Sequence, residues 1–174
     1  MDTINKKIIS NEAGKYAILF GLISGGYLML GLALPEKTLF SILYNILAIA
    51  KLVGLIWLMR YLMIKIKKSY DEVSKRELVR FGTLIALFSS IIMALITFVS
   101  YKYLFPDQIK GMMDTVYQSM GSYLDNNSRM ALQAMEQSLA SICTISNFIY
   151  CFLYGWILSL ILAPRIAPTD IFND

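Results

Sequence analysis

The chain has 174 residues, 57% hydrophobic and 16% charged, with a net charge of +4. A soluble domain carries nearer a quarter of its residues as charges, so a lipid environment is the first expectation. The positive residues flank apolar runs instead of gathering into one patch, which speaks against nucleic acid as a partner.

The sequence contains no histidine. That excludes imidazole as base, nucleophile partner or metal ligand, and with it the usual triads and most zinc sites. Cys143 and Cys151 lie in one apolar run. On a helix they stand roughly 12 Å apart, too far for a disulfide, so they read as small apolar side chains.

Four apolar runs, at about 16–34, 38–64, 81–101 and 137–163, are long enough to span a bilayer, and lipid permits only a helix there. The expected fold is therefore all-α: a single membrane domain of four transmembrane helices in a bundle. The first run follows Lys6, Lys7 and Lys15 and closes on Gly31-Leu32-Ala33, a pattern shared with cleaved signal peptides; it is read here as a retained span. The second is interrupted by Lys51 and Arg60, and the other two carry no charge.

Lys and Arg distribute unevenly about these runs. Eleven fall before the first, around the second connection and after the fourth, against four on the opposite side (Lys37, Lys102, Lys110 and Arg129). The positive-inside rule then places both termini and the middle loop in the cytoplasm. Pro35-Glu36-Lys37 reads as a short outer turn joining the first two helices into a hairpin. Residues 65–77 read as a basic inner loop facing anionic lipid.

The segment 105–136 is the one extramembrane piece of any size. Ile109, Met112, Met113, Val116, Met120 and Leu124 recur at helical spacing and form one apolar stripe, expected to rest on the outer leaflet. Asp125-Asn126-Asn127-Ser128 breaks it, and Ser128 is the expected cap of a second helix running on into the fourth span. Met112, Met113, Met120, Met130 and Met135 all fall in this segment. Thioethers bind Cu(I), but without a tight cluster, histidine or paired cysteine no metal is expected. Asp107, Asp114, Asp125 and Glu136 are too dispersed to pair for acid–base work. With no phosphate-binding glycine loop and no activated serine, neither an enzyme nor a cofactor is expected.

Helices in lipid pack through small residues that let backbones approach. The first span offers Ala13, Ala17, Gly21 and Gly25; the third Gly82, Ala86, Ser90 and Ala94; the fourth Cys151, Gly155, Ser159 and Ala163, continuing the row of Cys143 and Asn147. Such seams serve a close bundle within one chain, a homo-oligomer, or another membrane protein.

Lys51 is the candidate contact residue. It stands about a dozen residues, roughly 18 Å, from either end of its run, and insertion of a central lysine costs about 2.5–3.5 kcal/mol. No Asp or Glu lies inside a span to pair with it. Ala48 and Gly54, on the same side of the helix, leave room for a neighbour, so Lys51 is expected to face the bundle interior. There Asn147, Ser89, Ser90 or an aromatic face could meet it, as could a lipid phosphate, an anionic substrate or a partner's carboxylate.

Three features together resemble a known family: Lys-Tyr-Ala-Ile-Leu-Phe-Gly-Leu-Ile-Ser-Gly at 15–25, Arg-Phe-Gly-Thr-Leu-Ile-Ala-Leu-Phe-Ser-Ser at 80–90, and the aromatic end Tyr101-Lys102-Tyr103-Leu104-Phe105-Pro106-Asp107 before a polar helical insert. The layout is similar to the bacterial four-span membrane family catalogued as domain of unknown function 4199, common in Bacteroidota. The resemblance implies a small inner-membrane protein with no assigned activity, associated with polyprenyl-phosphate glycosyltransferases. It thus suggests an accessory or scaffold role in envelope glycan or lipid-carrier metabolism, with membrane lipids and a membrane-associated glycosyltransferase or other inner-membrane protein as partners. The alternative is a small transporter or a lipid-carrier and anion-binding protein that uses Lys51.

Overall fold

A computed structural model describes residues 6–34, 38–70, 73–120 and 125–167. These are helical almost throughout: α1 (Lys6–Ala33), α2 (Thr38–Ser69), α3 (Lys75–Val99), a π turn (Ser100–Leu104), α4 (Pro106–Met120) and α5 (Asn126–Ile166). α1, α2, α3 with its π turn, and α5 are each long and apolar enough to cross a membrane. The expected Pro35-Glu36-Lys37 turn lies outside the described residues.

The helix ends follow from local chemistry, and two differ from expectation. The basic stretch 65–77 is mostly helix: α2 runs on to Ser69, and α3 begins at Lys75. Ser74 and Glu77 form a reciprocal capping box, with the Glu77 N–H donating to Ser74 Oγ (3.3 Å) and the Ser74 N–H to Glu77 Oε2 (2.8 Å). At the far end of α3 the Phe105 N–H reaches Ser100 O at 2.8 Å, closing the π turn. Pro106 then opens α4, at a position where a helix has no use for its missing N–H.

The cap of α5 is Asp125, not Ser128. The Asp125 carboxylate accepts the Ser128 N–H at 2.8 Å, because a cap side chain bonds a backbone donor in the first turn ahead of it. α5 has 41 residues, a rod of roughly 60 Å against a hydrocarbon core of about 30 Å. Its first turns therefore stand beyond the span and form an arm with α4. On α4, Met113 is buried while Ile109 and Val116 are half-buried, so these three dock the helix. Met112 and Met120 of the expected stripe are exposed, and Leu124 lies outside the described residues.

α3 is the central helix, with 39% of its apolar window buried against 11% for α2 and for α5. Small residues bring its neighbours close. A Cβ built on Gly21 of α1 would stand 2.6 Å from Ile92 Cγ2, and one on Gly25 would collide with Ile96. On the opposite side, a Cβ on Gly82 would strike Ser159, and one on Gly155 would lie 2.6 Å from Ala86 Cβ. The seams in α1, α3 and α5 thus meet partners within the chain. Ser90 and Ser159, both buried, donate to carbonyls of their own helices, Leu87 O and Trp156 O, at 2.7 Å.

α2 is attached mainly through one half. Leu55, Met59, Leu62, Met63 and Ile66 are buried against Ile9, Ala13, Leu78, Phe81, Leu162 and Ala163, which form the core at the end where α1 begins and α5 finishes. Towards its start, α2 turns Phe40, Tyr44, Ala48 and Lys51 partly inward, while Ile42, Leu43, Ile46, Leu47, Ile49 and Val53 are exposed. Between that half of α2 and the other helices a chamber is left.

Candidate functional site

The chamber has a volume of about 300 Å³ and is lined from all four spanning helices. α1 contributes Phe20, Ser24 and Tyr27; α2 contributes Ala48, Lys51, Leu52, Leu55 and Met59; α3 contributes Ile85, Ala86 and Ser89; α5 contributes Tyr150, Cys151, Tyr154, Gly155 and Leu158. Leu52 and Tyr150 are exposed as well as lining it, so its mouth lies between α2 and α5.

Lys51 faces this interior. Its Nζ lies 4.0 Å from the centroid of the Tyr27 ring. Tyr44, two turns earlier on α2, stacks on the same ring with centroids 4.4 Å apart and planes 16° from parallel. Two groups so close cannot share a face, so the Tyr27 ring is held between the phenol and the ammonium. Gly31 makes room for this: a Cβ there would lie 2.5 Å from the Tyr44 hydroxyl. A cation over a desolvated aromatic face gains about 2 kcal/mol, less than the burial of a charge costs. Among the described residues the ion pairs are Lys15–Glu12 and Lys110–Asp107, so Lys51 has no carboxylate there.

A second polar group shares the chamber. The Tyr154 hydroxyl is shielded from solvent and finds no hydrogen-bond partner among the described residues. An unmatched buried hydroxyl is rare and costs about 1–3 kcal/mol. Ser89 donates to Ala86 O at 3.1 Å and keeps acceptor capacity. The chamber thus offers an ammonium and a phenol above walls that are otherwise largely apolar: a head-and-tail arrangement.

Of the candidates from sequence, Lys51, Ala86, Cys151 and Gly155 line the chamber. Asn147 is half-buried one turn before Cys151 and does not line it. Ser90 turns from it, whereas Ser89 lines it. Gly54 is exposed with open space around it, because the inward row of α2 runs 44, 48, 51, 55, 59 and passes it by. Sequence reasoning did not find Tyr27, Tyr154, Ser24 or Phe20. The available signal was tyrosines inside apolar spans, whose hydroxyls need partners.

A lysine-bearing chamber enclosed by four apolar helices defines the class: a polytopic helical membrane protein with an interior polar site. No curated protein and no solved structure matches the chain. The chain belongs to the family described as protein of unknown function (DUF4199), whose model matches residues 15–165 and so takes in every residue of the chamber.

Proposed function

We propose that the protein is a non-enzymatic membrane binding protein that holds an anionic amphiphile, its acidic head on Lys51 and Tyr154 and its tail leaving between α2 and α5. The observation that carries this reading is the pairing, in one chamber, of an ammonium and a buried hydroxyl that among the described residues have neither a carboxylate nor a hydrogen-bond partner. An acidic oxygen bound between them accepts from both. A volume of about 300 Å³ suits a head group and a few methylenes, so a longer tail extends into lipid through the mouth at Leu52 and Tyr150.

In a bacterial inner membrane, with both termini cytoplasmic, such a protein serves as an accessory in envelope glycan or lipid-carrier metabolism. A scaffold role beside a membrane-associated glycosyltransferase draws on a different feature, the exposed arm of α4 and early α5. Reporter fusions at residues 70 and 167 test the orientation, since a periplasmic signal at either reverses it. The binding reading is tested by mass spectrometry of lipids extracted with the purified protein. Lys51→Met should lose one acidic species by about tenfold or more, and Lys51→Arg, which keeps the charge, should retain part of it. An identical lipid complement in all three proteins sinks the reading.

A further inference from the structure

A separate groove lies where α2 and α5 end. It encloses about 510 Å³ and carries four cations, Arg60, Lys67, Lys68 and Arg165, over a floor of Ile64, Leu162 and Ile166. We propose that this groove binds the headgroup of an acidic phospholipid, the cations meeting its phosphate and the floor meeting the first carbons of its chains. The site shares no residue with the chamber and does not depend on it.

Three observations support the assignment. The first is charge: none of the four cations is ion-paired among the described residues. Two helix C-termini meet here, each worth about half a negative charge, and Lys67 already donates to Ile166 O. Four positive charges exceed that demand, and their mutual repulsion is relieved by an anion between them. The second is depth. Lys67, Lys68 and Arg165 are exposed at the helix ends, while Arg60 lies two turns deeper along α2, about 10 Å nearer the midplane. From there a snorkelling guanidinium reaches back to headgroup level. The third is the floor: Leu162 is buried and Ile64 and Ile166 half-buried. This apolar surface is of no use to free phosphate but suits a lipid. Basic pockets between spanning helices are known places for acidic headgroups.

The competing reading is that the four cations only stabilise helix ends and orientation. The full chain in detergent, given equimolar phosphatidylglycerol and phosphatidylcholine with the same chains, separates the two by native mass spectrometry. Phosphatidylglycerol should be retained in preference. Lys68→Gln with Arg165→Gln should cut that retention at least about tenfold, with the lipid-free melting temperature unchanged. Should the pair fail to fold, Arg60→Gln alone should cut it about fivefold. Lys110→Gln with Arg129→Gln on the arm should leave it intact. Equal retention of the two lipids, or an equal loss in the arm variant, overturns the proposal. So does displacement by inorganic phosphate at matched concentration, which would make the ligand a free anion. Asp170→Asn with Asp174→Asn should change nothing; a tenfold rise would assign the groove to the chain's own acidic tail and overturn it too.

Discussion

Lys51 Nζ lies 4.0 Å from the centroid of the Tyr27 ring, so among the described residues a lysine set in an apolar span is met by an aromatic face and not by a carboxylate. The contact joins α1 to the half of α2 that has little other packing. Tyr27→Leu should lower thermal stability in detergent by about 1–2 kcal/mol, whereas Tyr27→Phe, which keeps the ring over the cation, should cost under about 1 kcal/mol. Equal losses would mean that the Tyr27 hydroxyl, 3.5 Å from Tyr44 O, matters more than the ring face.

Glycines in these helices divide by what their missing Cβ would meet. Gly21→Ala and Gly155→Ala each place a methyl 2.6 Å from a side-chain carbon across a helix contact, and should destabilise by about 1–3 kcal/mol. Gly26→Ala, with nothing within 4 Å, should be neutral or favourable through helix propensity. Unfolding midpoints of the three variants check this, and a common value for all would mean that the α1–α3 and α3–α5 approaches are looser than described.

Asp125 gives the arm a pH dependence. Hydrogen bonding from Ser128, through its side chain first and its backbone N–H second, holds the Asp125 carboxyl below the usual carboxylate range. A depressed value means that the cap stabilises the helix above the ordinary carboxyl pKa, and that this contribution disappears as pH falls through the lowered one. Amide exchange in the first turns of α5, corrected for intrinsic rates, should therefore accelerate at about pH 3 relative to pH 6. In Asp125→Asn, which caps without titrating, it should not. The same acceleration in that variant would place the effect elsewhere.

Much of the fold was legible in the sequence because lipid leaves few options. A charge-free run such as 81–101 has to be a helix, and the small residues at 21, 25, 82, 86 and 155 had to allow close approach. The capping box at Ser74 and Glu77 is equally visible, though it lies inside a run of basic residues that reads as a loop. The inward face of α2 was not legible. That helix is apolar on all sides, so no periodicity separates Gly54, which looks outward, from Leu55, which is buried. Its orientation is set by packing against residues distant in sequence. The placing of Lys51 over Tyr27, in one chamber with Tyr154, is a tertiary fact of this kind, and the docked face of α4 is another.

The two cysteines provide the most direct test of the chamber as a binding site, because Cys151 lines it and Cys143 does not. Decyl phosphate should slow modification of Cys151 by methyl methanethiosulfonate while leaving Cys143 unaffected, and decanol should protect neither. Protection should vanish in Lys51→Met and persist in part in Lys51→Arg. Protection of both cysteines alike, of neither, or of Cys151 undiminished in Lys51→Met would contradict a chamber that binds anions through Lys51.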